Sequence, residues 1–191
     1  MKALTEAKKL CLLDRDGVLN VDKDYLYQAE DVEWISGSLE AVAWLNRQGY
    51  RVVVVTNQSG VARGYFTEDV VKKLHDWMAE EVKKAGGEIS AFYYCPHLPG
   101  AVVKQYDVMC ECRKPKPGMF LHAAADWQID PAQSYMIGDR MSDLHAAKSA
   151  GCAGGVLVLT GYGPNCAEEA RSEGWPVCPS VLDAVEYLLK N

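Results

Sequence analysis

Runs of apolar residues alternate along the chain with segments whose apolar positions recur every three or four residues. Residues 10–13 and 51–56 form the two clearest runs, and the second is apolar on both faces, as a central parallel strand requires. Shorter runs at residues 91–94, 135–137 and 156–159 predict three more strands.

Helical spacing is clearest at residues 38–48, in the segment after Thr67, and at residues 181–190. Thr67 is a favourable N-cap residue, and the pair Gly86-Gly87 is typical of a helix end. Further short helices are expected between the later strands. Strands that alternate with helices predict an α/β fold, a doubly wound, Rossmann-like parallel sheet with helices on both faces.

Two long segments, residues 17–37 and 96–118, show no regular pattern. Long irregular segments within a compact fold usually carry function. No helical block is large enough for a second unit, so residues 1–191 are predicted to form a single domain without a large cap domain. Short loops, including a cysteine-bearing insertion at residues 95–112, must then shape any pocket.

Charge and cysteine content limit the class of protein. The net charge of −6 disfavours a nucleic-acid partner, and no apolar run approaches the ~18 residues of a membrane span. Residues 1–9 lack the apolar core of a signal peptide. We therefore expect a cytoplasmic monomer that acts on a small molecule. The odd count of seven cysteines disfavours a disulfide framework, and Cys11, inside the first run, is expected in the core.

Reactive side chains follow several predicted strands. Asp14 and Asp16 emerge after the first run on the same side of an extended chain, where one can attack and the other can shuttle a proton. Residues 56–60 offer a hydroxyl and backbone N–H groups to an anion, Lys114 lies in a proline-rich loop, and Asp139 follows the fourth run. Each alone has an ordinary interpretation as a cap, a turn or a solvated charge. Their combination at one sheet edge indicates a catalytic site.

In chain order these residues form the motifs D-x-D-G-V, T-N, K-P and G-D-x-x-x-D, which resemble the haloacid dehalogenase-like (HAD) phosphohydrolases over nearly the whole chain. The resemblance implies that Asp14 attacks phosphorus to form an aspartyl-phosphate. It implies that Asp16 protonates the leaving oxygen and then deprotonates water. Asp14, Asp139 and the backbone carbonyl of Asp16 would hold Mg²⁺. Thr56 and Lys114 would bind the non-bridging phosphoryl oxygens.

A second cluster of ligand-type residues lies in the long loop. Cys95 and His97 are separated by twelve residues from Cys110 and Cys112. Three thiolates and one imidazole in two close pairs suit a tetrahedral structural zinc site, which leaves no open position for a catalytic water. Because the loop ends at Arg113, Zn²⁺ is expected to order the segment that delivers the phosphate-binding lysine.

The cysteine loop beside Arg-Lys-Pro is similar to the histidinol-phosphatase-type branch of the superfamily. Within that branch, the resemblance implies removal of the 7-phosphate from a D-glycero-D-manno-heptose 1,7-bisphosphate, for lipopolysaccharide or other surface glycans. A remote second phosphate needs further cations, which Arg113 and Arg140 are placed to supply, although Arg140 has an alternative as a partner of nearby carboxylates. The residues expected to contact substrate are Asp22, Lys23, Asp24, Tyr25, Asn57, Gln58, Ser59, Arg113 and Arg140.

Other interpretations stay open at this point. A histidinol-phosphate phosphatase would share the catalytic and zinc residues, and acidic positions in residues 17–37 would suit its cationic substrate. A non-catalytic, zinc-stabilised binding module is disfavoured because both Asp14 and Asp16 are present. The acidic charge disfavours a DNA 3′-phosphatase. Asp143 has two candidate roles, which are to orient Lys114 or to orient a metal-bound water.

Overall fold

A six-stranded, all-parallel sheet forms the centre of the computed structural model, which describes residues 9–190. In chain order the strands are Lys9–Leu13 (β1), Tyr50–Asn57 (β2), Ala91–Cys95 (β3), Ser134–Gly138 (β4), Gly154–Val158 (β5) and Val177–Cys178 (β6). The five predicted strands are all present, with ends that differ by one or two residues. The sequence did not reveal β6, because two residues are too few to show a period.

Within residues 9–190, six α-helices connect and flank the strands: Ser38–Arg47 (α1), Glu68–Lys84 (α2), Gly118–Trp127 (α3), Met141–Ala150 (α4), Gly163–Ser172 (α5) and Val181–Lys190 (α6). Thr67 occupies the N-cap of α2 as predicted, but its side chain makes no capping hydrogen bond. In the part of the chain that the structure describes, no helix is both long enough and apolar enough to cross a membrane.

Both faces of the sheet are covered, and alternate residues of β1 show the division. Cys11 and Leu13 pack into a core with α1 and α6, whereas Leu10 and Leu12 pack on the opposite face with α3 and α4. Every one of these four side chains is buried. The predictions of a doubly wound sheet and of a core position for Cys11 are therefore confirmed.

The strand order, β3-β2-β1-β4-β5-β6, places a change of direction beside β1. The chain first builds outward from β1 through β2 to β3, and then returns to place β4 on the other side of β1. Such a switch point leaves a crevice at the carboxyl ends of the strands, where ligands bind in open α/β sheets. Loops rather than an inserted cap domain surround that edge within residues 9–190.

Candidate active site

A polar pocket of about 420 Å³ opens at the carboxyl edge of the sheet. Most residues that the sequence assigned to catalysis or substrate contact line it: Asp14, Asp16, Asp22, Asp24, Tyr25, Thr56, Asn57, Gln58, Ser59, Arg113, Lys114 and Arg140. Asp139 lies fully buried beside Asp14 rather than on the pocket wall. The topology therefore brings together residues that are up to 126 positions apart, from Asp14 to Arg140.

Lys23 is the predicted substrate contact that the structure does not place on the pocket wall. Its ammonium group lies 3.2 Å from the Glu33 carboxylate and donates a hydrogen bond to the Asp31 carbonyl. The side chain therefore braces the loop that follows β1. Its neighbours Asp24 and Tyr25 do reach the pocket, and both adopt positive φ angles, of 50° and 55°.

Lys114 is buried between two carboxylates at the base of the pocket. Its Nζ lies 2.9 Å from Asp14 Oδ2 and 2.6 Å from Asp143 Oδ1, and it donates to the Val55 carbonyl at 2.8 Å. Asp143 therefore orients Lys114, which was one of its two predicted roles. Burial raises the pKa of Asp14 to about 6, although the ammonium of Lys114 opposes the change.

The carboxylates of Asp14, Asp139 and Asp143 form a compact group in which one oxygen from each residue lies within 4.8 Å of the other two. Asp139 Oδ2 accepts a hydrogen bond from the Tyr162 N–H at 2.7 Å, but its buried Oδ1 has no partner among the described residues. Burial, followed by repulsion from Asp14 and Asp143, raises the pKa of Asp139 to about 8. Three buried carboxylates beside one ammonium therefore fit a hard divalent cation such as Mg²⁺.

Gly17 allows the backbone that follows β1 to lie close to the Asp139 carboxylate. Its φ angle is +83°, and a Cβ at this position would lie 2.2 Å from Asp139 Oδ2. Its carbonyl accepts a hydrogen bond from the Thr160 hydroxyl at 2.6 Å. The end of β5 thus supports the site through Thr160 and Tyr162, a contribution that the sequence analysis missed because it considered only the earlier strands.

Asp16 faces the pocket but is held by several donors. The Arg15 guanidinium contacts both carboxylate oxygens at 2.9–3.2 Å, and Asn20 Nδ2 and Gln58 Nε2 add bonds of 2.9 and 3.1 Å. Burial alone would raise the pKa of Asp16. The Arg15 charge and these hydrogen bonds outweigh burial and hold the pKa below its usual range.

Asn57 and Gln58 contact residues that the sequence predicts to be catalytic. Asn57 exchanges two hydrogen bonds with the backbone of Lys114, accepting from its N–H at 3.1 Å and donating to its carbonyl at 3.2 Å. Gln58 Nε2 donates to Thr56 Oγ1 at 2.9 Å as well as to Asp16. Both side chains line the pocket as predicted, and their amide groups also hold Lys114, Thr56 and Asp16.

The four predicted zinc ligands converge at the start of the long loop. The Cys95, Cys110 and Cys112 sulfurs lie 3.1–3.4 Å apart, and His97 Nδ1 is 3.6 Å from Cys112 and 3.8 Å from Cys95. These sulfur separations exceed a disulfide bond by more than 1 Å, and all seven cysteines are free. Burial would raise the pKa of Cys110, but hydrogen bonds with Cys112 and Cys95 lower it to about 7, toward the thiolate form that binds metals.

His75 is buried behind Asp16, on the interior face of α2. Its ring stacks on Phe92 with centroids 4.4 Å apart, and its Nε2 lies 3.3 Å from Arg15 Nη1. Burial and the Arg15 charge lower the pKa of His75 to about 3. His75 is therefore neutral, and Nε2 accepts a hydrogen bond from the guanidinium.

Replacing His75 with Gln is expected to reduce the loss of stability on acidification from pH 7 to pH 5. The folded-state pKa lies below the unfolded value, so only the unfolded chain gains a proton here, and stability falls as the pH falls. The loss from this residue is about 2 kcal/mol at pH 5. Denaturant unfolding at both pH values measures it, with the exposed His122→Gln as control. Equal pH dependence in wild type and His75→Gln would contradict the prediction.

Comparison with known proteins agrees with this geometry. A HAD-hydrolase-like family model matches residues 111–184. The D-glycero-beta-D-manno-heptose-1,7-bisphosphate 7-phosphatase of Haemophilus ducreyi is 44% identical over 95% of this chain and 98% of its own length. The enzyme of the same name from Vibrio cholerae is 44% identical over 96% and 98%. The chain belongs to this phosphatase family.

A solved structure supports the same family assignment. The D,D-heptose 1,7-bisphosphate phosphatase of B. bronchiseptica, crystallised with magnesium and phosphate, matches with a TM-score of 0.84 and 38% identity. The match covers 95% of this chain and 98% of that one. The predicted membership of the HAD phosphatases and the absence of a large cap domain in residues 9–190 are confirmed.

Proposed function

We propose that the chain hydrolyses the 7-phosphate of D-glycero-β-D-manno-heptose 1,7-bisphosphate in a Mg²⁺-dependent reaction. The observation that carries this proposal is its similarity, over nearly its full length, to enzymes of that name. The pocket supports the proposal because carboxyl groups and a lysine, which suit phosphoryl transfer, lie at its bottom. The product would serve the synthesis of activated heptose for lipopolysaccharide.

The chemical steps follow from Asp14 and Asp16. An Asp14 carboxylate oxygen attacks phosphorus, and the bond between phosphorus and the C7 oxygen breaks. Because the Asp16 pKa is low in the free protein, Asp16 must take up a proton from solvent as the phosphate dianion enters, and it then donates this proton to the C7 oxygen. Asp16 then removes a proton from a water that attacks the aspartyl-phosphate, which releases inorganic phosphate and restores Asp14. Lys114 and the Thr56 hydroxyl bind the non-bridging oxygens, and Lys114 exchanges its contact with Asp14 for one with the phosphoryl group.

The carboxylates of Asp14 and Asp139 and the carbonyl of Asp16 would hold the Mg²⁺. When bound, this ion screens the approach of two anions and stabilises the charge on the transferring phosphoryl group. Asp143 stays paired with Lys114 and is not needed as a ligand. The unpartnered Oδ1 of Asp139 is the donor atom that such an ion would satisfy.

Two arginines at the pocket wall supply charge for the second phosphate. Arg113 Nη1 donates to the His97 carbonyl at 3.2 Å, which ties the guanidinium to the cysteine loop. The Arg140 guanidinium lies 3.9 Å above the Tyr162 ring and pairs with Asp22 at 3.3 Å, whereas the Arg140 backbone N–H donates to Asp143 at 3.0 Å. Both remain partly exposed to the pocket and can exchange these contacts for phosphate oxygens.

Arg113→Ala is expected to raise KM for the bisphosphate by about 10- to 100-fold, the effect of losing a charge-assisted hydrogen bond, and to change KM for a monophosphate much less. Steady-state phosphate release with both substrates measures the difference. Lys116→Ala is the matched control, since Lys116 lies in the same loop but pairs with Glu111 at the surface. An equal change for both substrates would remove the remote-phosphate role.

We propose that Cys95, His97, Cys110 and Cys112 hold a structural Zn²⁺. Four protein ligands would fill the coordination sphere of the ion and leave no position for a catalytic water, so the proposed role is structural. The loop that carries these ligands leads directly to Arg113. The ion would hold the end of this loop next to Lys114, whose backbone is also held by two hydrogen bonds with the Asn57 side chain.

Cys112→Ser is expected to lose Zn²⁺ and to lower turnover by about 100-fold, because misplacement of a binding group by about 1 Å costs that much. Metal analysis, turnover and hydrogen exchange across residues 96–117 test this. Cys166→Ser, on α5, is the control. A zinc-free variant with full turnover and a protected loop would refute the proposal.

The deciding experiment compares phosphate release from both anomers of heptose 1,7-bisphosphate with release from histidinol phosphate, using purified protein and Mg²⁺. Preference for the β anomer with release of only the 7-phosphate is the expected result. Preference for histidinol phosphate would retain the roles of Asp14 and Asp16 but overturn the substrate. No release from any phosphate ester would favour a binding module.

A further inference from the structure

Arg15, between the two aspartates proposed for catalysis, is among the largest of the fully buried side chains in the described chain. A buried charge destabilises a protein unless it is paired and hydrogen-bonded. An apolar residue at this position would fill the same space without that cost. The contacts of Arg15 therefore indicate what its charge does.

The guanidinium is directed at three different parts of the molecule. Nε and Nη2 contact both oxygens of Asp16 at 2.9–3.2 Å in a fork arrangement. Nη2 also donates to the Leu26 carbonyl at 3.1 Å, and Nη1 donates to His75 Nε2 at 3.3 Å. Arg15 thus connects the acid–base residue, the loop that carries Asp24 and Tyr25, and helix α2.

His75 holds Nη1 of Arg15, the guanidinium nitrogen that does not contact Asp16. The ring is held between Phe92, stacked at 4.4 Å, and Tyr94, whose ring centroid lies 5.7 Å away. A fork-to-carboxylate contact sets the plane of both groups, which a single hydrogen bond does not do. With Nη1 held by His75, the guanidinium plane is fixed, and the Asp16 carboxylate plane is fixed with it.

We propose that Arg15, supported by His75, is a positioning residue that orients Asp16 for proton transfer. The inference rests on the proposed function, in which Asp16 protonates the leaving oxygen and later activates water. Without Arg15, Asp16 keeps its bonds from Asn20 and Gln58 and stays at the pocket. It loses the contact that sets its orientation.

Leaving-group dependence separates this role from a general structural one. An alkoxide needs a proton as it departs, whereas p-nitrophenolate does not. In Arg15→Met, transfer of the first phosphoryl group from p-nitrophenyl phosphate to Asp14 is expected to keep its wild-type rate. The same step with glycerol 3-phosphate, an alkyl ester, and the later hydrolysis by water should each slow by about 100-fold.

The measurement is rapid-quench and stopped-flow kinetics with the Mg²⁺-loaded protein. The expected signature of Arg15→Met is a burst of p-nitrophenol equal to the enzyme concentration, followed by slow turnover. Equal slowing of the first turnover with both esters would overturn the proposal, as would an unchanged rate with glycerol 3-phosphate. Arg15→Lys keeps the positive charge but cannot make the fork contact, so it should show the same split between esters as Arg15→Met. Full recovery in Arg15→Lys would assign the effect to charge and overturn the positioning role.

A second pair of variants covers the case in which Arg15→Met does not fold. His75→Leu removes the acceptor for Nη1 and should show the same split between esters, about tenfold in size. His75→Gln keeps an acceptor and should restore the rate with glycerol 3-phosphate. Equal rates in the two His75 variants with this ester would overturn the role of His75.

Failure of this inference and failure of the proposed function are distinguishable. The Arg15 test uses esters without a heptose, so it reports on Asp16 whichever sugar phosphate is the substrate. Wild-type protein that hydrolyses glycerol 3-phosphate but not heptose 1,7-bisphosphate would overturn the proposed substrate alone. The inference alone would be overturned if wild-type protein hydrolysed heptose 1,7-bisphosphate as expected and Arg15→Met changed the first-step rates with p-nitrophenyl phosphate and glycerol 3-phosphate equally.

Discussion

Asp14→Asn is expected to abolish phosphate release, with a loss of at least about 10⁴-fold, because an amide cannot form the aspartyl-phosphate. The substitution is nearly isosteric, and Asn still accepts a hydrogen bond from Lys114. Phosphate release from heptose 1,7-bisphosphate and from p-nitrophenyl phosphate measures the effect. Asp76→Asn, an exposed position on α2, is the matched control and should keep wild-type turnover.

The fold is expected to survive this change. Burial raises the pKa of Asp14 to about 6, which means that the ionised form present at neutral pH destabilises the folded protein. Asn removes that penalty and the repulsion from Asp139 and Asp143, while Lys114 keeps its contacts with Asp143 and Val55. The unfolding midpoint should be unchanged or higher. Appreciable turnover in a well-folded Asp14→Asn protein would refute the nucleophile assignment.

Removing divalent metal is expected to have the second largest effect, a loss of turnover of about 10³-fold. Without a cation, Asp14 and Asp143 share the ammonium of Lys114, and the pKa of Asp139 is raised to about 8. A phosphate dianion must then approach this acidic group with no metal ion to offset its charge. Dialysis against EDTA followed by titration with Mg²⁺ should abolish and then restore phosphate release. Metal analysis should find Zn²⁺ retained throughout.

Asp139→Asn separates the two metal sites further. It should raise the Mg²⁺ concentration needed for half-maximal rate and leave zinc content unchanged, because the cysteine cluster lies in a different loop. Full turnover in EDTA, with Mg²⁺ absent by metal analysis, would contradict a role for the acidic group in holding the ion.

The strands and their order along the chain were predictable because buried parallel strands are apolar on both faces and are separated by helical periods. β1 to β5 all follow this pattern, and β6 is too short to show it. The same rule predicted that polar residues after the strands would meet at one edge. It predicted Asp14, Asp16, Thr56 and Lys114 in one pocket, and the structure places them there.

Several contacts could not be predicted from the sequence because they depend on the direction in which each side chain points. Lys23 lies between two pocket residues, yet its side chain turns to Glu33. Asn57 and Gln58 were assigned to substrate, and their amides also hold Lys114, Thr56 and Asp16. A residue's position in a loop does not fix the direction of its side chain.

The sequence by itself determined the class of fold, the two aspartates proposed for catalysis and the two groups of candidate metal ligands, because these depend on local periodicity and on the chemistry of short motifs. The tertiary structure alone decided that Asp143 orients Lys114, that Arg140 pairs with Asp22, and that Arg15 joins Asp16 to His75. The physical reason is that burial and directional hydrogen bonds depend on which distant residues fill each space, and a linear pattern does not contain that information.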